Sequence, residues 1–163
     1  LPSLRVGYLV ASDALMPSLL SAKRLGTLGN AWISEAIVAE FLGRGYYDTH
    51  LATVQRELDQ RYTRCLELLR ERMPDGVRWT TPGGGPTLWL EVPKNISLER
   101  LGARLQGCGV NIESVANAFD GPPHLHGFRI SYAFLPPETL DRAIGLVSEA
   151  LVAEAQAGVG GLS

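Results

Sequence analysis

From Asp48 or Thr49 to about Met73, Leu51, Val54, Leu58, Tyr62, Cys65, Leu66 and Leu69 recur at intervals of three and four. That period predicts one long amphipathic helix. Its other face is charged ("QRELDQRYTR", "RERM"), as a solvated or domain-bridging surface would be. Two shorter helical patterns precede it. One follows a cap at Ser12 or Asp13 and carries Leu15, Leu19, Leu20 and Lys23. The other runs from Ile33 through Phe41 and stops at "GRG", Gly43 to Gly45. Ahead of both, Leu4 to Val10 reads as a buried strand with one charge, Arg5, set into it.

After "PDG" the pattern changes. "VRWT" and "TLWLEV" are short and rich in β-formers, and "TPGGGP" joins them, which predicts a hairpin with a glycine-rich connection. "SLERLGARLQGCG" is an amphipathic helix capped by Ser97. "VNIE" is a short strand, "ANAFDGPPHLHG" a loop, and "FRISYAF" a strand that again holds one arginine, Arg129. "PPETLDRAIGLVSEALVAEA" is the last helix, with proline in its first turn, and "GVGGLS" a flexible tail. Strands are expected near 77–80, 86–92, 110–113 and 128–133. The order strand, helix, strand, strand, helix from Glu91 onward predicts an α+β layer, a small sheet with helices on one face. The strand near 4–10 has no partner close in sequence and is expected to pair with another chain or to be poorly ordered.

Composition narrows the classes. The chain has 163 residues, 45% of them hydrophobic, enough for a core of its own. A net charge of -2 gives no electrostatic reason for this segment to bind nucleic acid. There is no apolar run of transmembrane length and no signal-peptide pattern. Cys65 and Cys108 are far apart and form no CxxC, so both are expected to be buried thiols of a reduced, cytoplasmic protein.

The candidate chemistry is sparse. Arg5 and Arg129 each sit in apolar strand sequence, where a guanidinium is costly unless it meets an anion. Phosphate and carboxylate are the anions its planar fork fits best. "PGGGP" lacks the Lys-Ser/Thr and the helix start of a phosphate loop, and a tight hairpin connection explains it better. His124 and His126 stand two apart without a third ligand and are read as structural, with no metal site. Glu35, Glu40, Asp48 and Glu113 form no paired pattern.

Taken together, these motifs resemble a known family. "LPSLRVGYLV" is similar to the segment P-G-L-R-x-G-Y that follows the cofactor lysine in class I/II aminotransferases of fold type I, which depend on pyridoxal 5'-phosphate. "EAIVAEFLGRGYYDTHLATVQRELDQRYTRCLELLRERM" is similar to the family's helix pair, keeping Phe41, Gly45, His50, Tyr62 and Arg64 but holding Gln55 where arginine is common. "TPGGGPTLWLEVP" and "GFRISYAFLPPETLDRAIGLVSEAL" resemble its P-x-G-G-hydrophobic-W segment and its C-terminal strand and helix. The resemblance covers almost the whole chain. It implies the C-terminal portion of a longer protein, with residues 1–45 a remnant of the cofactor-binding large domain, 46–75 a long interdomain helix, 76–158 the small domain and 159–163 a tail.

By the same resemblance Arg5 binds the cofactor phosphate and Arg129 grips the substrate α-carboxylate, of an amino acid or a 2-oxo acid. The Schiff-base lysine lies upstream, and neither Lys23 nor Lys94 has a matching context, so the chain holds no catalytic residue. On its own it is expected to be inactive in transamination and to bind the cofactor weakly or not at all. "GGGPTLWLEVP" and "PHLHGFRISYAFL" are closer to MocR-type regulators of the GntR family, in which a winged helix-turn-helix precedes an aminotransferase-like domain. In such a parent DNA is met only through the absent upstream domain, and a homodimer is expected. The alternatives are a free-standing aminotransferase of the 2-aminoadipate type and a small-domain interaction or dimerisation module without catalysis.

Overall fold

The computed structural model describes residues 2–112, 119–121 and 124–160. They divide into two compact units, Leu1–Val54 and Gln55–Ser163. In the first, a 3-10 turn at Pro2–Leu4 is followed by α1 (Met16–Thr27) and α2 (Trp32–Gly43). The helix α3 (Tyr46–Arg72) begins there and is the longest element. Two sequence expectations need correction in this unit. Residues 5–10 form no strand: they pair with none of the described strands, and Arg5 has φ 54°. Extended backbone becomes a strand only against a partner, and the described sheet does not include this segment. The Ser12 carbonyl, rather than a side-chain cap, opens α1, accepting from Leu15 N at 3.0 Å and Met16 N at 3.2 Å. Neither α1 nor α2 contains a buried residue.

The second unit is α+β. After α3 come β1 (Arg78–Trp79), β2 (Thr87–Glu91), α4 (Leu98–Gly107), β3 (Gly127–Ser131) and α5 (Pro137–Gly160). The sheet has order β1-β2-β3 and both pairings are antiparallel. The core follows from two periodicities. On the strands every second side chain turns inward, so Leu88, Leu90 and Phe128 are buried. On the helices the intervals are three and four, which buries Cys65, Leu66 and Leu69 of α3, Leu101 and Leu105 of α4, and Leu140, Ile144, Val147 and Leu151 of α5. Each such leucine contributes about 1.5–3 kcal/mol by leaving water. Ser97 caps α4 as expected, its Oγ accepting from Arg100 N at 3.3 Å.

Other expectations shift. Val110 to Ile112 carry no strand, and Glu113 lies outside the described residues. Helix α5 runs to Gly160, so "GVG" continues the helix instead of opening a tail; residues 161–163 are not described. Cys65 is fully buried but Cys108, just past the end of α4, is exposed. The arginine of β3 is exposed as well. Its neighbours Phe128 and Ile130 occupy the inward phase, and Arg129 is left the outward one.

Gly127 fixes how closely β3 approaches β2. A Cβ there would fall on the Leu90 carbonyl oxygen and within 2.9 Å of Glu91 Cα. Both obstacles are backbone, so neither can rotate away. Gly127→Ala is expected to destabilise the fold by about 1–3 kcal/mol or more, read as a lower denaturant midpoint at unchanged slope.

Candidate functional site

The outward face of the sheet collects the polar and aromatic side chains. Register places Arg129 opposite Trp89, Ser131 opposite Thr87 and Gly127 opposite Glu91. Arg78, opposite Glu91 on the other side, pairs with it at 2.9 Å. Thr80 brackets Trp89: its N–H donates to the Trp89 carbonyl at 3.0 Å, and its Oγ1 accepts from Trp89 N at 2.9 Å. The Trp89 ring meets Phe119 edge-on, centroids 5.9 Å apart, and Phe119 meets His124 at 4.6 Å. Trp89 Nε1 is buried and finds no acceptor among the described residues.

The strand that carries Arg129 is secured from below. The Tyr132 hydroxyl, kept protonated by burial, donates to the carbonyl of Gly85 in the glycine-rich connection. Tyr132 also packs on Tyr62 of α3, ring centroids 5.5 Å apart. Arg61 Nη1 donates to the Ala133 carbonyl. "PGGGP" is thus committed to the hairpin, the part expected of it. Next to β3, a largely apolar hollow of about 690 Å³ is lined by Val110, Ile112, Phe128, Arg129 and Phe134 and by the first turns of α5.

Beneath the sheet, Asp141 of α5 joins two arginines of α3. Arg64 Nη2 and Arg72 Nη2 each donate to it at 2.6 Å, and Arg72 Nη1 donates to its carbonyl at 2.8 Å. The Arg64 and Arg72 guanidinia hold the Asp141 carboxyl below the usual carboxylate range. The buried Glu154 accepts from Arg100 at 2.9 Å, with Arg104 at 3.6 Å, and so ties α5 to α4.

Arg5 belongs to the first unit. It lines a hollow of about 210 Å³ with Gly29, Asn30, Ser34 and Glu35. Its guanidinium is exposed and makes no ion pair with a described residue. A guanidinium beside a hydroxyl and an amide suits a phosphate, although Glu35 in the same hollow opposes one. Covalent attachment of a cofactor is another matter. Lys23 on α1 and Lys94 after β2 are exposed on separate units, and neither lines a described hollow.

The remaining candidates meet other partners. His126 Nε2 lies 2.8 Å from the Ile96 carbonyl, His124 stands edge-on to Phe119, and no three metal-ligating side chains gather among the described residues. Glu40 pairs with Arg44 at 2.5 Å, Glu35 accepts from Asn30, and the His50 ring lies 5.9 Å from that of Phe41. No described helix is long and apolar enough to cross a membrane. Trp89 lies in the segment that resembles P-x-G-G-hydrophobic-W, whereas Asp141 carries no motif of its own. The phase of "TLWLE", with Thr87, Trp89 and Glu91 alternating against two leucines, is the signal that marks Trp89 as outward.

Known proteins share part of this sequence and the fold of the chain. The chain is 31% identical over 155 residues to the 2-aminoadipate transaminase of Thermus thermophilus, covering 92% of this chain and 38% of that protein. It is 28% identical over 148 residues to the HTH-type transcriptional regulator YisV of Bacillus subtilis, covering 91% of this chain and 30% of the regulator. Among solved structures, LysN, the alpha-aminoadipate aminotransferase of Thermus thermophilus complexed with N-(5'-phosphopyridoxyl)-L-leucine, superposes with a TM-score of 0.84 at 29% identity, over 95% of this chain and 40% of that one. No family model matches. The chain therefore spans about a third of the length of its relatives, which include both aminotransferases and HTH-type regulators.

Two measurements check the electrostatics. A carboxyl held low in the folded state stabilises it fully above the unfolded value and loses that stabilisation as pH falls through the folded one. Asp141→Asn is therefore expected to lower Tm at pH 7 by a few degrees. The gap to the unmodified protein should begin to narrow as pH falls below the ordinary 3.8 and close only below the depressed folded value. Burial pushes the Cys65 thiol up to about 11, so it is not a thiolate at neutral pH. A thiol reagent should modify Cys108 in the native protein and both cysteines only in denaturant.

Proposed function

We infer that this chain is the C-terminal portion of a pyridoxal-phosphate-dependent, fold-type-I aminotransferase-like domain, the effector-sensing part of a MocR-type regulator of the GntR family. The observation that carries this is Arg129, exposed on the outward face of β3, in a sequence whose relatives are both aminotransferases and HTH-type regulators. In this reading 1–45 belongs to the large cofactor-binding domain, 46–75 runs between domains and 76–158 is the small domain. The parent is a cytoplasmic homodimer that meets DNA through an upstream winged helix.

The roles divide by anion. Arg5 takes the cofactor phosphate, where a delocalised, permanently charged fork suits a dianion. Arg129 takes the α-carboxylate of an amino acid or 2-oxo acid, two N–H groups to two oxygens, and so orients the α-carbon. Trp89 opposite and Tyr132 just beyond hold the strand in register while it does so. When bound, pyridoxal phosphate supplies an electron sink for bonds at that carbon. The lysine that holds it belongs to the parent's remaining sequence.

The second reading is a free-standing aminotransferase, favoured by the 31% identity to the 2-aminoadipate transaminase and the fit to LysN. Operator binding that changes with amino acid supports the regulator; multiple-turnover transamination without DNA binding supports the enzyme.

In the complete protein, Arg129→Leu is expected to weaken amino-acid binding by roughly tenfold to a hundredfold, from the ~1.5–3 kcal/mol of a charge-assisted hydrogen bond. Cofactor should stay attached. Arg5→Leu should loosen the cofactor first. Calorimetric titration with amino acid and cofactor absorbance after dialysis separate the two losses, and an Arg129→Leu protein that binds amino acids normally but unfolds more easily rejects the assignment.

A further inference from the structure

The aromatic side chains beside Arg129 make a second, apolar half to the site. Trp89 is the cross-strand partner of Arg129, so the two side chains leave the same face of the sheet. Phe119 stands edge-on to Trp89 at 5.9 Å and His124 edge-on to Phe119 at 4.6 Å, which gives a continuous row of three rings. The row does not belong to the core. Trp89 and Phe119 are only half-buried and His124 is exposed, while the core on the opposite face is closed by Leu88, Leu90 and Phe128. Among the described residues Trp89 Nε1 has no acceptor, whereas a buried indole N–H normally has one. A cation that takes a carboxylate, set next to half-exposed rings, matches one kind of small molecule: an α-amino acid with a large apolar side chain.

We propose that the Trp89–Phe119–His124 row is the specificity wall of the site, selecting amino acids with large apolar or aromatic side chains once Arg129 has fixed the carboxylate. This rests on the role of Arg129 proposed above. The wall offers apolar surface and ring edges but no carboxylate and no permanent cation, so it rewards the area that a side chain buries and gives nothing to a second acidic group.

The test uses the complete protein with its cofactor and calorimetric titration with L-alanine, L-leucine, L-phenylalanine and L-glutamate. The unmodified protein should bind leucine and phenylalanine about tenfold or more tightly than alanine, the worth of burying one such side chain. Phe119→Ala, in a loop where it does not endanger the sheet, should bring all three to within about twofold of one another and leave alanine unchanged. Trp89→Phe, which keeps a ring and removes the N–H, should retain the preference. A uniform loss for every amino acid in Phe119→Ala would mean that the row only supports the strand, and a preference for glutamate in the unmodified protein would also overturn the wall. If the unmodified protein binds none of the four, the amino-acid reading of Arg129 fails, and the wall with it.

Discussion

The antiparallel pairing of β2 with β3 is the constraint on which the second unit depends. Five residues pair with five in one register, and the pleat then leaves no choice about direction. Leu88, Leu90 and Phe128 go to the core. Trp89 and Arg129 must go the other way, because the inward positions are filled. The exposed arginine is therefore a consequence of packing, and any chemistry on this face is held by the hydrophobic effect acting on the opposite one. Gly127 lets the two backbones come close enough for this to hold at the end of the pair.

The helices fix the sheet from one side by two kinds of contact. Apolar rows from α3, α4 and α5 supply the bulk of the core. Charged contacts then select the alignment of helix against helix: Asp141 between Arg64 and Arg72, and Glu154 near Arg100 and Arg104. The two carboxylates are not alike. Glu154 is buried, so its arginines offset a real desolvation cost. Asp141 is a third exposed, and its bonds act more through geometry than through energy.

Most of the second unit was legible in the sequence because period and capping agree there. The hairpin 78–91, Ser97 as cap and the long helix all follow from local rules. What was not legible depends on partners. Residues 4–10 have the composition of a strand, but composition does not supply a neighbour, and the segment is irregular. Val110 to Ile112 failed in the same way. The arginines were read as buried from their apolar surroundings, yet alternation puts Arg129 between two inward residues and hence outside. That a guanidinium can bind an anion is available from residue type alone; the aromatic row was not, since Phe119 meets Trp89, and His124 meets Phe119, far from Trp89 in sequence.

Two guanidinia share the Asp141 carboxylate, and one of them, Arg64, also meets Glu67 at 3.4 Å. Added salt acts on such a triad in opposing directions. It screens the attraction of each arginine for the aspartate, and it equally screens the repulsion between the two arginines. The charge products of Arg64, Asp141 and Arg72 sum to that of a single ion pair, so the two bonds together should lose about as much to added salt as one isolated pair does, and the junction of α3 with α5 gains a second bond without a second helping of salt sensitivity.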